Sequence, residues 1–363
     1  MAAEPHTIPI APPAAAREHE ELIVRRGARS ELFTIVAVHS TALGPSLGGC
    51  RMWHYPDATA AADDALRLSR AMTLKAAAAG LSLGGGKGVI CLASGSAAPE
   101  GGARRDVLLD FADTVEALDG AYITAEDVGT NARDMVTIAE RTRHVSGRPT
   151  IHGGSGDPSS FTAQGVEAAM RACCAAAFGA PDLTGRSVAI VGCGHVGEHL
   201  ARRLARAGAR LVLADVDDRK RSICAELPDA AWADPVDAAL ADVDVLAPCA
   251  LGGVIDEHTV ARVRARVVCG AANNQLADDG LAAELAARGI LYAPDFLVNA
   301  GGLINVAAEL EPDGYDPERT AARVAEIEET MAAVLAEAAE ADATPLAAAV
   351  RRARRRLDAV PSS

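Results

Sequence analysis

Aromatic side chains are scarce in this sequence: two Trp, four Tyr and five Phe among 363 residues. Half the residues are nonetheless hydrophobic, and Ala and Gly are abundant. That balance excludes a disordered chain and implies helices packed closely on small side chains. Positive charge is also short, at 35 Lys and Arg against 49 Asp and Glu, a net −14. Phosphate backbones and anionic lipids repel such a polyanion, so nucleic acid and membrane surfaces are not expected partners. No apolar run reaches the length of a membrane helix. The first 17 residues, rich in Ala and Pro, lack the basic start and long apolar core of a signal peptide. Residues 1–20 read as a poorly ordered lead. The eight cysteines (Cys50, Cys91, Cys173, Cys174, Cys193, Cys224, Cys249, Cys269) form no CxxC pair and no Cys/His cluster. Neither a zinc site nor a redox motif is indicated, and a reducing cytosol is the expected compartment. His195 and His199 are four apart, which reads as helix surface rather than a metal site.

The length suggests two domains. Strand text at 31–40 is followed by a glycine-rich strand and turn at 44–51 and a helix at 58–79. A glycine loop is expected at 84–88, then a strand at 88–92, a helix near 104–118 and a strand at 121–124. From about residue 150 a second α/β block begins, with a helix around 162–178 and a strand–turn–helix at 186–208. Strands follow at 210–214, 243–247, 266–270 and 290–293. This is the rhythm of a doubly wound parallel sheet. The chain is helical from 317 on. An Arg run (Arg351, Arg352, Arg354, Arg355, Arg356) reads as a solvated helix face.

The strand SVAIV runs into Gly192-Cys193-Gly194-His195-Val196-Gly197 and then a helix. This is GxGxxG in its required context: the glycines permit the tight turn, close approach of a pyrophosphate, and helix–strand packing. The next strand, RLVLA, ends at Asp215, placed to accept from both ribose hydroxyls and to repel a 2′-phosphate. NAD is therefore expected over NADP, although Arg219, Lys220 and Arg221 lie close by. Cys193 within the turn suggests an oxidation-sensitive cofactor site.

Three ionisable groups stand out. Lys87 lies in GGGKG, which lacks the spacing and following Ser or Thr of a nucleoside triphosphate loop. Lys75 sits among alanines, as either a snorkelling surface residue or a buried functional one. Asp127 follows a strand end and could be a ligand-site residue or a helix cap.

The stretches GPSLGGCRMW, MTLKAAAAGLSLGGGKGVI, TAEDVGTN, VGCGHVG, APCALGGVI, CGAANNQL and LYAPDFLVNAGGLINVAAEL carry a resemblance. In order, over about residues 31–310, they resemble the glutamate/leucine/phenylalanine/valine dehydrogenase family, its leucine and valine branch most closely. The resemblance implies an N-terminal mixed α/β substrate domain (1–150, with helices 333–363 returning to it) and a Rossmann-type NAD-binding domain (151–332). It implies that Lys75 holds the substrate α-carboxylate, that Lys87 is the general base activating water, and that Asp127 shuttles protons at the amino group. Gly48, Gly49 and Met72 would seat the substrate. Thr162 and Asn274 would meet the nicotinamide end, with Asn299 beside the cleft. The family's oligomers range from dimers to octamers, so a homo-oligomer is expected.

The same resemblance bears on the substrate. Glutamate-specific members carry a lysine before the paired glycines and a serine after NAGG; here Leu47 and Val306 stand there. A carboxylate facing them would be buried without a partner. Phenylalanine-preferring members are smaller at the positions of Leu303 and Ala125. Valine, leucine, isoleucine or 2-aminobutyrate are therefore expected ahead of phenylalanine. The rivals are an aromatic amino acid dehydrogenase and a catalytically silent NAD-binding sensor.

Overall fold

The structure is a computed structural model and describes residues 18–227, 229–250 and 252–360. Contacts divide it into two compact units. The first runs to Thr73 and resumes over Leu83–Val145; the second holds Leu74–Ser82 and Ser146 onward. The disordered lead expected over residues 1–20 lies outside the described residues up to 17. The remainder is tied down: His19 Nε2 lies 3.0 Å from Leu66 O and 2.9 Å from Ser69 Oγ.

The first unit is built from β1 (Glu21–Arg26), β2 (Phe33–Ser40), β3 (Ser46–Tyr55), α1 (Ala58–Ala78), β4 (Gly84–Ala93), α2 (Gly101–Glu116), β5 (Tyr122–Glu126) and α3 (Ala132–Ile138). The strands form one sheet in the order β1-β2-β4-β3-β5. It is mixed: β1/β2 and β2/β4 run antiparallel, β3/β4 and β3/β5 parallel. Strand β1, unforeseen in the sequence, is a half-exposed edge with three charged residues in six, so its apolar signal is weak.

Strand side chains alternate between faces, so each face has its own core. Val36, Val38, Cys50, Met52, Ile90 and Leu92 pack on one side with Phe111 and Val115 of α2 and Met135 and Ile138 of α3. Ile35, Ala37, Val89 and Cys91 pack on the other with Ala61, Ala62, Ala65 and Leu66 of α1.

The glycines at 84–88, expected as a loop, are instead the opening half of the central strand β4. Glycine disfavours strands, but here a side chain would not fit. A Cβ on Gly85 would lie 2.0 Å from the Thr73 amide of α1. On the opposite face, one on Gly86 would meet the Tyr122 ring at 2.5 Å, and one on Gly88 the Phe111 ring at 2.4 Å. The glycine run is a packing requirement, and it lets helix and rings close onto the strand that carries Lys87.

The second unit follows the doubly wound plan. It comprises α4 (Ser159–Phe178), β6 (Ser187–Val191), α5 (His195–Arg206), β7 (Arg210–Ala214), β8 (Ala231–Trp232), α6 (Pro235–Ala239), β9 (Val245–Pro248), β10 (Val267–Val268), α7 (Leu281–Ala287), β11 (Leu291–Tyr292) and α8 (Asp295–Val298). The helices α9 (Gly301–Ala307), α10 (Pro317–Ala325), α11 (Ile327–Glu340) and α12 (Pro345–Asp358) complete it. Its strand order is β11-β10-β9-β6-β7-β8, all parallel. The order reverses between β6 and β9, the switch point at which such sheets take ligands.

Residues 333–363, expected to return to the first domain, are grouped with the second unit, together with the end of α1. The C-terminal arginines explain the grouping and correct their reading as a purely solvated face. Arg352 and Arg355 both reach Glu337 of α11 at 2.5 Å. Arg356 donates to Ala77 O at 3.1 Å and Gly80 O at 2.8 Å, satisfying carbonyls at the end of α1. Arg351 and Arg354 are exposed. No helix among the described residues is long and apolar enough to cross a membrane.

The packing yields a stability prediction. Gly88→Ala is expected to destabilise by about 1–3 kcal/mol, since the added methyl overlaps the Phe111 ring. Gly102→Ala, on α2 with open space around it, is expected to be neutral or slightly stabilising. Denaturant midpoints of the two variants check this; equal midpoints would count against the packing account.

Candidate active site

Lys87 sits near the middle of β4 on the face covered by α1, and only 5% of it is exposed. Asp127 follows the carboxyl end of β5. Lys87 Nζ donates to Asp127 Oδ2 at 2.7 Å. A buried charge demands such a partner, because an isolated ammonium in this setting costs several kcal/mol. Burial pushes the Asp127 carboxyl up, but Lys87 and Arg51 outweigh it, and the group ends below the ordinary carboxylate range.

Asp127 is not a helix cap. The cap of α3 is Asn131, whose side chain accepts from Arg133 and Asp134 backbone amides. The Asp127 amide is instead 3.0 Å from Thr130 Oγ1, which donates to Cys50 O at 2.8 Å and so pins the turn to β3.

Arg51 was not singled out from the sequence. Its Nε donates to the same Asp127 Oδ2 at 3.1 Å, and its Nη1 to Asp64 Oδ2 at 3.0 Å. Asp64, on α1, also accepts from the Tyr55 hydroxyl at 2.7 Å and from Arg67 at 2.6 Å. The local signal was the parity of the strand: Leu47, Gly49 and Arg51 share one face of β3. Nothing local reveals a partner 76 residues away.

The paired glycines lie on β3 beside this group. A Cβ on Gly48 would fall 1.8 Å from Gly86 O, and one on Gly49 would fall 2.7 Å from Asp127 Cβ. The bare backbone is what lets Asp127 come close. Leu47, 1% exposed, precedes them, and Ala125 pairs with Gly49 across β3 and β5. Met72 is half-buried on α1.

Lys75 occupies the last turn of α1 and belongs to the second unit. It is half-buried, and its charge acts on Asp295, a carboxylate absent from the sequence-based candidates. Burial raises the Asp295 pKa, while bonds from the Gln275 and Phe296 amides and the Lys75 charge hold it back. In the same unit, Leu303 and Val306 are buried one turn apart on α9.

The nucleotide turn has the features a pyrophosphate requires. Gly192 adopts a φ of 107°. A Cβ on Gly197 would lie 1.9 Å from Gly192 O, whereas Gly194 faces open space with nothing within 4 Å. Helix α5 begins at His195 with no side chain capping it, so its first amides are available to an anion. Val196 is half-buried, and His195 Nδ1 lies 3.4 Å from Asp157. Asp215 accepts from the Cys193 amide at 2.7 Å and the Asp217 amide at 2.9 Å, which holds its carboxylate beside the turn. Arg219 pairs with Asp217 and Lys220 with Glu198, so both are engaged locally.

Cys193 does not have the character of an oxidation sensor. It is fully buried, and burial followed by the nearby Asp215 charge pushes its pKa up to about 12. The reactive thiolate is then scarce at neutral pH.

Thr162 opens α4 and donates to Pro158 O at 3.1 Å. Asn274 is exposed, with a φ of 51°. Asn299 is buried; its Nδ2 donates to Ala271 O at 3.1 Å and Asn273 Oδ1 at 2.8 Å, and its Oδ1 has no partner among the described residues. A buried acceptor left this way is open to a donor from water or a ligand.

Two family models match the chain. Residues 20–144 match the Glu/Leu/Phe/Val dehydrogenase dimerisation domain, and residues 213–360 match Glutamate/Leucine/Phenylalanine/Valine dehydrogenase. The chain is 44% identical to a valine dehydrogenase of Streptomyces albus over 342 residues, covering 93% of this chain and 92% of that protein. It is 43% identical to a leucine dehydrogenase of Bacillus subtilis over 307 residues, 85% of this chain and 82% of the other. Among solved structures, the L-tryptophan dehydrogenase from Nostoc punctiforme aligns with a TM-score of 0.81 at 36% identity, over 94% of this chain and 97% of that one. The chain belongs to the glutamate/leucine/phenylalanine/valine dehydrogenase family and is an amino acid dehydrogenase.

Proposed function

We propose that this protein oxidatively deaminates branched aliphatic L-amino acids, valine and leucine foremost, to 2-oxo acids and ammonia with NAD. The observation that carries the reading is the buried Lys87–Asp127 contact at 2.7 Å. A desolvated lysine with a carboxylate partner is the equipment for moving protons to and from water and an amine. The valine and leucine dehydrogenases at 43–44% identity support the substrate class.

The roles are these. Lys75 pairs with the substrate α-carboxylate as a point charge. Asp127 takes a proton from the amino group. Once the substrate Cα has lost hydride and become an iminium, Lys87 acts in its neutral amine form and takes a proton from the attacking water; Asp127 returns its proton to the nitrogen, and collapse of the adduct releases ammonia. NAD, when bound, supplies the hydride acceptor. The turn from Gly192 to Gly197 and the start of α5 would hold its pyrophosphate, and Asp215 its adenosine ribose. Thr162, Asn274 and the orphaned Asn299 oxygen would serve the nicotinamide end.

Leu47 in the first unit and Val306 in the second are both buried aliphatics, 1% and 7% exposed. Neither offers a partner to a distal carboxylate, which disfavours glutamate. The bulk of Ala125 and Leu303 favours branched aliphatic over aromatic side chains. The similarity to a tryptophan dehydrogenase makes aromatic substrates the informative comparison. The dimerisation domain named in the match over 20–144 supports a homo-oligomer. All eight cysteines are unpaired, which suits a reducing compartment such as the cytosol.

Three predictions test this reading. With NAD and a panel of amino acids, NADH absorbance should rise with valine, leucine and isoleucine, at kcat/KM values about 10-fold or more above phenylalanine and tryptophan. No NADH with any aliphatic substrate would sink it. Lys87→Ala should lower kcat by about 10²- to 10⁴-fold with NAD affinity unchanged; near wild-type turnover would refute the assigned base. For the cofactor, Asp215→Ala should raise the KM for NAD and shrink its preference over NADP, measured by steady-state kinetics with both. An unaltered preference would remove Asp215 from the ribose role.

A further inference from the structure

We propose that Arg51, anchored by Asp64, is the positioning residue for Asp127: it keeps that carboxylate ionised and oriented for proton transfer. This rests on the reading of Asp127 as the proton carrier at the amino group. Two cations from two different strands converge on one oxygen, Lys87 at 2.7 Å from β4 and Arg51 at 3.1 Å from β3. A carboxylate held at one oxygen from two directions, with the Val128 amide bonded to the group as well, cannot rotate freely.

Arg51 is itself fixed. Its planar guanidinium spans two carboxylates, Nε toward Asp127 and Nη1 toward Asp64. Lysine cannot reproduce that span, because it offers one nitrogen rather than a fork. Asp64 is held in turn by Tyr55 and Arg67. The anchor is on α1 and the positioned group follows β5, so the relay crosses three elements of one unit.

The charges that face Asp127 are Lys87 from β4 and Arg51 from β3, with Cys50 on β3 and Tyr122 on β5 nearby. Burial raises both the Cys50 thiol and the Tyr122 phenol, so they are neutral across the working range. Arg51 is therefore one of two cations that keep Asp127 charged. Removing it raises the pH at which Asp127 becomes protonated. If the ionised form is the active one, activity is lost sooner on acidification.

The experiment is steady-state kinetics of the full-length protein from acidic to alkaline pH with valine and NAD. Arg51→Met keeps length and removes charge. It should lower kcat about 10- to 100-fold, leave the KM for NAD unchanged, and move the acidic limb of the kcat/KM profile toward neutrality by about one pH unit. Arg51→Lys should return the acidic limb toward its wild-type position while kcat stays low, separating charge from orientation. If Arg51→Met does not fold, by circular dichroism and NAD binding, Asp64→Asn decides. It should lower kcat in the same direction, and unchanged kinetics would overturn the proposal. A folded Arg51→Met with wild-type kcat and pH profile would overturn it too. Asp127→Asn distinguishes the two layers. If that variant is inactive while Arg51→Met is wild type, only the positioning role fails. If Asp127→Asn is fully active, the reading of Asp127 fails, and this proposal with it.

Discussion

The contact between Lys87 Nζ and Asp127 Oδ2 is the constraint around which the first unit is arranged. An ammonium that is only 5% exposed must have a charged partner or lose its charge. The partner follows β5, and Gly49 on the strand between keeps a side chain out of its way. The same need for closeness continues along β4, where Gly85 admits α1 and Gly86 and Gly88 admit two aromatic rings. Aromatic residues are few in this chain, and two of them, Phe111 and Tyr122, are spent on backing the strand that carries the lysine.

The two units answer different physical problems. The first uses a mixed sheet with a helix on one face and two on the other, with Lys87 and Arg51 on strands and Asp127 in the turn after one. Side chains on strands are fixed by the ladder, which suits proton transfer over a hydrogen-bond distance. The second uses an all-parallel sheet and puts its ligand groups in the turn after β6 and at the end of β7, where free amides and one carboxylate are presented. That arrangement leaves backbone amides at a helix end open to an anion.

Much of this was legible in the sequence because it is local. The turn from Gly192 to Gly197 lies between a five-residue strand and a helix, and the strand ending at Asp215 comes next, so composition and order alone foresaw this strand–turn–helix–strand unit. Lys87 and Asp127 were named from glycine context, a strand end and family resemblance. The glycine run misled in one respect. Glycine ordinarily signals a loop, and only the neighbours Thr73, Tyr122 and Phe111 reveal it as a strand too crowded for side chains. The Arg run at the C-terminus misled likewise: its charges suggest solvent, but Arg356 reaches the carbonyls of Ala77 and Gly80, 279 and 276 residues earlier. Cys193, chemically suspect in the sequence, is buried, and burial pushes its pKa up.

By itself, then, the sequence carried the fold class and the glycine turn between strand and helix in its spacing, while the residues proposed for deamination came from family resemblance. Tertiary structure decided how those residues are held. The Arg51–Asp64–Tyr55 relay behind Asp127 depends on bringing together β3, α1 and the loop after β5, and the identity of Arg51 carries no mark of it. Periodicity reports which way a side chain points; only packing reports what it meets.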